Sequence, residues 1–183
     1  MTQTKSNHLD QVALVDEKDN LLGTMDKIEA HRGSGQLHRA ISVYLFNDQD
    51  QLLIQRRSHK KIVGAKQWAN TVCGNVRPNE TYQECAYRRL REELGITQAK
   101  IQPIYKFQYQ LKCNDQFSEH ELDQVFVGFY QGEVKPNPDE VSDYAWEELN
   151  LAQLVNKYDL APWFELMLND WQLQQKLQGF LSN

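Results

Sequence analysis

The run from Gly74 to Ile96 restricts the fold of this chain more than any other part of the sequence. It reads GNVRPNETYQECAYRRLREELGI, a loop with glycine and proline followed by an amphipathic pattern. Apolar residues recur at helical spacing from Thr81 to Leu94, and Gly95 is suited to end a helix. The run therefore predicts a loop and then a helix over 81–94 with one apolar face.

Strand-like runs lie before and after this helix. Apolar or alternating runs bounded by turn residues predict strands at 11–16, 21–24, 39–47, 51–57, 101–111 and 122–131, the first four as two hairpins. Asp26 is placed to cap a short helix through about His31, and amphipathic stretches near Trp146–Val155 and Pro162–Leu177 predict two further helices. The order of elements favours the α/β class in its mixed α+β form, a mixed sheet with helices on its faces.

Length and composition predict a single domain over 1–183, with about 1–9 as a loose N-terminal tail. The net charge is −5, which is not the basic footprint of a nucleic-acid binder. No apolar stretch is long enough to span a membrane, and the first residues lack the apolar core of a signal peptide. The three cysteines form neither a metal-ligand pair nor an even disulfide framework. We therefore expect a cytoplasmic monomer or homodimer without nucleic-acid or membrane partners.

Glu92 and Glu93 have the chemistry of metal ligands. They lie on the predicted helix next to a glycine loop, and Mg²⁺ takes carboxylate and diphosphate oxygens together. The same glutamates equally suit a solvated helix face, so the residues alone leave both interpretations open.

A second group combines histidines with carboxylates. His31 and His38 flank a glycine loop, and strand alternation after Ser118 places Glu119 and Glu121 on one face, away from His120. Two histidines and two carboxylates are the makings of a transition-metal site, although each residue alone is more often a surface residue.

The spacing around the predicted helix resembles the Nudix box, G-x5-E-x7-R-E-U-x-E-E-x-G-U, where U is a bulky apolar residue. Gly74, Glu80, Arg88, Glu92 and Glu93 occupy their expected positions. Arg89 departs from the pattern, since the hydrolases of this superfamily have there the first glutamate of their metal-binding cluster.

The chain as a whole resembles the type I isopentenyl-diphosphate delta-isomerases, a Nudix branch in which the form RR-x-R-x-E-L-G is typical. The resemblance runs from about Gln11 to Trp163. Its carriers are Thr24-Met25-Asp26-Lys27, His31, Leu37-His38-Arg39-Ala40, Leu45-Phe46-Asn47, Gln55-Arg56-Arg57, Trp68 to Gly74, Arg88 to Arg91, Glu119-His120-Glu121 and Ala161-Pro162-Trp163. It implies a Nudix-type fold, a mixed sheet sandwiched between helices, with an extra N-terminal hairpin and C-terminal helices.

The resemblance also implies an activity, the interconversion of isopentenyl and dimethylallyl diphosphate by proton addition and removal on opposite faces of the substrate. It assigns proton transfer to Cys73 and Glu121, with Tyr109 close to Glu121. Trp163 matches the tryptophan whose ring stabilises the carbocation, and Trp68 is a second candidate for the pocket wall. Ordinary core packing remains an alternative for Tyr109.

The diphosphate and the metals have their own implied residues. Lys27, Arg57 and Lys61 match the family's diphosphate-binding positions, with Arg88 nearby and Lys60 as an alternative to Lys61. Mg²⁺ is implied between the diphosphate and Glu93. A second divalent metal, Mn²⁺ or Zn²⁺, is implied at a set in which Asn75 stands where the family has a third histidine; the set comprises His31, His38, Asn75, Glu119 and Glu121.

Two other functions stay open at this point. A Nudix hydrolase that cleaves a diphosphate is favoured by Glu92 and Glu93, whereas Arg89 and Cys73 argue against it. A non-catalytic binding descendant is favoured only by Asn75.

Overall fold

The computed structural model describes residues 11–182. The expected loose tail over 1–9 lies outside that range. Within it the chain forms one mixed sheet and five helices. The strands are β1 (Gln11–Val15), β2 (Leu21–Asp26), β3 (His38–Phe46), β4 (Gln51–Arg57), β5 (Trp68–Ala69), β6 (Val72–Asn75), β7 (Lys100–Lys112), β8 (Ser118–Phe129) and β9 (Val141–Glu148). The helices are α1 (Lys27–His31), α2 (Tyr82–Leu94), α3 (Leu151–Lys157), α4 (Pro162–Asn169) and α5 (Trp171–Leu181).

Strand β3 organises the sheet. It pairs antiparallel with β6 on one side and parallel with β8 on the other. In these registers Ser42 lies opposite Cys73, and His38 lies opposite Glu121. Because directly paired residues project to the same face of a sheet, residues of β6, β3 and β8 that carry chemistry share one face.

Helices cover both faces of the sheet. The cluster on the first face contains Tyr44, Val125 and residues of α4 and α5, including Phe164 and Leu173. The cluster on the other face is built from the intervening strand residues and from the apolar side of α2. The expected α/β architecture of a mixed sheet between helices is therefore confirmed, together with the N-terminal hairpin and the C-terminal helices.

The predicted helix over 81–94 is present as α2. Thr81 caps its first turn, and the side chain of Glu84 reaches back to the backbone N–H of Thr81 in a capping box. Gly95 ends the helix with φ 66°, a left-handed conformation that glycine adopts without strain. Asp26 likewise accepts hydrogen bonds from two N–H groups at the start of α1, as expected.

The prediction of a helix near Trp146–Val155 was wrong for its first part. Trp146 belongs to β9 and pairs with Leu53 of β4, and a helix begins only at Leu151, after Asn150 caps it. The predicted helix at Pro162–Leu177 is two helices, because Asp170 ends α4 and its side chain caps α5. Within 11–182, no helix has the length and apolar character needed to cross a membrane.

Candidate active site and metal centre

Four buried side chains meet at one end of the central strands. His31 ends α1, His38 begins β3, and Glu119 and Glu121 project from the same face of β8; one ligand atom from each lies within 4.8 Å of the others. His120 faces away, near Gln108 and the carbonyl of Gly35. The structure therefore brings together the four residues that the sequence singled out as a metal-ligand set.

Backbone carbonyls orient both imidazoles. Nδ1 of His31 lies 2.6 Å from the carbonyl oxygen of Lys27, and Nδ1 of His38 lies 2.7 Å from that of Gln36. Because a carbonyl can only accept, each Nδ1 carries a proton, and Nε2 is the ring nitrogen that faces the cluster in both histidines. Histidines that bind metals are held in this way, so the donor set fits a divalent cation.

The two carboxylates of the cluster carry an electrostatic conflict. Burial and the charge of Glu119 raise the pKa of Glu121. Burial acts in the same direction on Glu119, but hydrogen bonding and the charge of His31 lower the pKa of that group. One carboxyl is thus ionised while its neighbour resists ionisation, and a cation between them relieves this repulsion.

Asn75 also lies at this cluster. It ends β6, and its amide Nδ2 is 2.9 Å from Nε2 of His38 and 3.0 Å from Oε1 of Glu121. The amide therefore contacts one nitrogen and one oxygen ligand of the predicted set.

The two predicted proton-transfer residues approach one sheet face from opposite sides of β3. Tyr109 donates a 2.6 Å hydrogen bond to Oε2 of Glu121, and the thiol of Cys73 donates to Oδ1 of Asn70 at 2.9 Å. Part of Cys73 is accessible, yet protein atoms enclose its sulfur. Burial, and next the charge of Asp123, raises the pKa of Cys73 to about 12. The thiol therefore keeps its proton at neutral pH.

Asp123 is a buried acid that sequence reasoning missed. It follows Glu121 by two residues on the same face of β8 and accepts a 2.7 Å hydrogen bond from Ser42. Ser42 Oγ also lies 3.9 Å from the sulfur of Cys73. Burial and the charge of Glu121 raise the pKa of Asp123 well above its ordinary range. The alternation Glu119, Glu121, Asp123 was the available signal.

Four cations, Lys27, Arg57, Lys61 and Arg89, lie close enough to act on one another's charge. The pKa of Lys27 is lowered to about 8, first by burial of its ammonium and then by the charges of Arg89, Lys61 and Arg57. Lys27 as a residue is exposed although protein atoms surround its ammonium. We call this partly enclosed place, with Lys27, Arg57, Lys61 and Arg89 around it, the recess. Clustered positive charge in such a recess is the electrostatic requirement for binding a polyanion.

Trp163 lies next to these cations. The guanidinium of Arg57 is 4.9 Å from the centre of its ring, and a Cβ added at Gly64 would come within 2.6 Å of the ring. The residue is buried, and its indole N–H has no hydrogen-bond partner among the residues that the structure describes. Trp68 instead packs on Tyr158, with ring centres 4.4 Å apart.

The structure places Arg88 and Arg89 differently from the sequence-based expectation. Arg88 donates to both carboxylate oxygens of Glu80, at 2.6 and 2.8 Å, and to Glu92 at 3.1 Å. These ion pairs hold the loop before α2, so the guanidinium of Arg88 is occupied there. Arg89, which the expected set omitted, points to the recess and donates to Glu93 and Glu140. The cation of the cluster is thus Arg89.

The two lysines and the glutamate that remain of the predicted set differ in how far the protein covers them. Lys61 is largely covered and pairs with Glu140, whereas Lys60 is exposed and pairs with Asp139. Glu93 is fully buried and accepts hydrogen bonds from Gln55, at 2.6 Å, and from Arg89. Of the two lysines, the geometry favours Lys61 as part of the recess.

The fold and these residues are those of a NUDIX domain, whose family model matches residues 36–168. Among solved structures, the DR0079 protein of Deinococcus radiodurans superimposes with a TM-score of 0.71, covering 86% of this chain and 96% of that one. At 23% sequence identity this likeness shows the fold alone.

Curated relatives narrow the assignment. Isopentenyl-diphosphate Delta-isomerase 1 of Aromatoleum aromaticum is 44% identical over 140 residues, which cover 76% of this chain and 78% of the relative. Isopentenyl-diphosphate Delta-isomerase of Pectobacterium atrosepticum is 39% identical over 161 residues, 86% of this chain and 89% of the relative. The chain therefore belongs to the NUDIX domain family and, within it, to the isopentenyl-diphosphate Delta-isomerases.

Proposed function

We propose that this chain isomerises isopentenyl diphosphate to dimethylallyl diphosphate. The observation that carries the proposal is the arrangement of Cys73 and the Glu121–Tyr109 pair on one sheet face, on either side of β3, beside a recess of four cations. An acid and a base separated by a strand, with a polyanion site next to them, suit proton transfer at two carbons of a prenyl diphosphate.

The chain's own groups account for each proton. Cys73, protonated at neutral pH, donates a proton to the terminal alkene carbon, which leaves a tertiary carbocation. Glu121, with Tyr109 hydrogen-bonded to it, takes a proton from the carbon on the other side of the cationic carbon. The new double bond forms between these two carbons. The ring of Trp163 stabilises the positive charge without trapping it, a contact worth about 2 kcal/mol when desolvated.

Lys27, Arg57 and Lys61 bind the diphosphate, and the structure supports adding Arg89 to them in place of Arg88. Guanidinium groups suit this task because they donate two parallel hydrogen bonds to phosphate oxygens. Glu93 would hold Mg²⁺ beside the diphosphate, and this cation would neutralise part of the diphosphate's negative charge.

A second divalent cation would be held by His31, His38, Glu119 and Glu121, with Asn75 beside them. When bound, this cation supplies positive charge that stabilises ionised carboxylates in a buried site. Mn²⁺ and Zn²⁺ are the candidates.

Hydrolysis of a diphosphate is the less favoured function. Arg89 occupies the position of a metal-binding glutamate and is instead ion-paired with Glu92 and Glu93. The chain therefore lacks one of the carboxylate ligands that the hydrolases of this superfamily use, while Glu93 remains to hold Mg²⁺ beside the diphosphate.

A proton NMR time course with isopentenyl diphosphate in deuterated buffer tests the proposal. The full chain is incubated with Mg²⁺ alone and then with added Mn²⁺ or Zn²⁺. We expect dimethylallyl diphosphate that carries deuterium. Unaltered substrate under all conditions, with the protein shown to be folded, contradicts the proposal, and released phosphate supports the hydrolase.

A further inference from the structure

The amide of Asn75 has a defined polarity in the metal-ligand cluster. Nε2 of His38 is an acceptor, because its Nδ1 proton is directed to the carbonyl of Gln36. Oε1 of Glu121 is the other near neighbour, at 3.0 Å. Two acceptors select the NH₂ end of the amide, which therefore bridges a nitrogen ligand and an oxygen ligand of the same predicted metal site.

A divalent cation cannot share the cluster with that orientation. Binding would direct the lone pairs of His38 and Glu121 to the cation, and the partly positive NH₂ group would then face it. The terminal torsion of asparagine is broad and roughly two-fold, so a half turn exchanges nitrogen for oxygen with little steric change. The amide oxygen then points where the nitrogen was and can act as a ligand.

Amide oxygen differs from imidazole nitrogen in the cations that it prefers. Carbonyl and carboxylate oxygens suit Mg²⁺ and Mn²⁺, whereas imidazole suits Zn²⁺ and other softer cations. With Asn75 the cluster offers two imidazole nitrogens and otherwise only oxygens. Loading also requires that the two existing amide hydrogen bonds be broken, which disfavours every metal to the same extent.

We propose that Asn75 makes this site selective for hard divalent cations: its amide nitrogen, which contacts His38 and Glu121 in the structure, turns away when Mn²⁺ or Mg²⁺ binds, and its amide oxygen becomes a ligand. This inference rests on the metal site of the proposed function but not on isomerase activity. It concerns position 75, where this chain has an asparagine instead of the histidine that the family resemblance implies.

Calorimetric titration of the metal-stripped full chain with Mn²⁺ and, separately, with Zn²⁺ tests the selectivity. Replacing a group that acts on a metal ligand typically changes affinity by about 10- to 100-fold, so Asn75→His is expected to raise the ratio of Zn²⁺ to Mn²⁺ affinity at least about tenfold. Asn75→Ala is expected to weaken Mn²⁺ binding by about tenfold, because it removes an oxygen ligand. Asn75→Asp, which offers only oxygens in the same shape, is expected to bind Mn²⁺ at least as tightly as the parent.

His120→Ala is the matched control, since His120 is adjacent in sequence to the ligands but faces away from them. Its affinities for both metals are expected to equal those of the parent. An unchanged affinity ratio in Asn75→His, or undiminished Mn²⁺ binding in Asn75→Ala, overturns the proposal. Circular dichroism of each variant separates a binding defect from misfolding, and Asn75→Asp preserves the test if Asn75→Ala does not fold.

The amide itself provides a second readout. The side-chain NH₂ resonances of Asn75, identified by their absence from Asn75→Asp, are expected to shift on addition of diamagnetic Mg²⁺. The same resonances are expected to lose their protection from solvent exchange as the two hydrogen bonds break. Unshifted and equally protected resonances under saturating Mg²⁺ contradict the reorientation. No substrate is present in either experiment, so an inactive enzyme with the expected metal selectivity would disprove only the proposed isomerisation.

Discussion

Cys73 and Glu121 are both enclosed by protein, but burial affects their chemistry differently. A thiol is neutral when protonated, so burial simply keeps the proton on Cys73, whose pKa rises to about 12. A carboxyl must be ionised to accept a proton, so Glu121, whose pKa burial and Glu119 raise, needs compensating positive charge. Burial thus ensures that Cys73 carries a proton, although it also makes the thiol a weaker acid, whereas Glu121 depends on a cation beside it to be ionised.

Replacing the proposed donor separates chemistry from binding. We expect Cys73→Ala to lower kcat by about 10²–10⁴-fold, the usual contribution of a positioned acid or base, with substrate affinity nearly unchanged. The measurement is the deuterium-incorporating NMR assay together with calorimetric binding of isopentenyl diphosphate. Cys85→Ala is the matched control, because Cys85 is a buried thiol on the other face of the sheet. Full activity in Cys73→Ala removes this residue from the mechanism.

Glu140 connects two cations of the recess and has a predictable pH dependence. Burial, the largest influence, acts to raise its pKa, but the charges and hydrogen bonds of Arg89 and Lys61 lower the pKa to about 2. The folded-state pKa lies below that of the unfolded chain, so the ionised carboxylate of Glu140 stabilises the fold. This stabilisation is present above about pH 4.5 and is lost as the pH falls towards 2.

We expect Glu140→Gln to lower the free energy of unfolding at pH 7 by about 1–2 kcal/mol, after allowance for solvent screening. The difference from the parent should shrink at pH 3, because the Glu140 carboxyl of the unfolded parent is then largely protonated and folding must release that proton. Urea denaturation of both proteins at pH 7, 5 and 3 measures this difference in the free energy of unfolding. Asp139→Asn is the control, since Asp139 pairs with Lys60 at the exposed surface. A deficit that stays constant across this pH range would contradict the electrostatic explanation.

The single-residue difference between Arg88 and Arg89 shows a limit of sequence reasoning. Neighbouring helix residues project about 100° apart, so Arg88 and Arg89 leave α2 in different directions although both reach Glu92. Which of them meets the recess depends on how α2 is rotated against the sheet, and this is set by the packing of Leu90 and Leu94 in the core. The sequence showed that an arginine was available but not which one faced the recess.

At the scale of elements, local signals predicted some segments and failed for others. The predicted α2 is confirmed because its cap, its apolar periodicity and its glycine stop all lie within the segment itself. Strand β9 was missed because its structure depends on pairing with β4, far away in the sequence. The break between α4 and α5 was missed because Asp170 acts as a stop for one helix and a cap for the next.

The capping box of α2 should have a measurable contribution to stability. Thr81 Oγ1 accepts from the N–H of Glu84, and the Glu84 carboxylate accepts from the N–H of Thr81 at 2.8 Å. We expect Thr81→Ala to lower the free energy of unfolding by about 1 kcal/mol. Urea denaturation measures the change, and Thr97→Ala, at an exposed threonine after the helix, is the control. Equal effects of the two substitutions would show that the cap does not stabilise the fold.

For the molecule as a whole, the sheet connects the two apolar clusters. Along β3, Tyr44 and Phe46 face one cluster, whereas Val43 and Leu45 face the other. The strand cannot keep one set of contacts while it loses the other, because both depend on the same backbone pairing. The active-site residues depend on this strand too, since the register of β3 with β6 and β8 places them on one face. Alternation in the sequence predicted such two-sided strands, but not which strands would be neighbours.

We expect the described part of the chain to unfold in one cooperative transition, as a single domain should. Far-ultraviolet circular dichroism and tryptophan fluorescence should give coincident urea curves. Trp146 packs against the cluster that contains α2, whereas Trp163 belongs to the other cluster, so the fluorescence of the parent reports on both. Trp146→Phe removes the first probe, and its fluorescence curve should still coincide with its dichroism curve. Different midpoints of the fluorescence and dichroism curves in that variant would contradict this expectation. They would show that one apolar cluster can unfold while the shared strands stay folded.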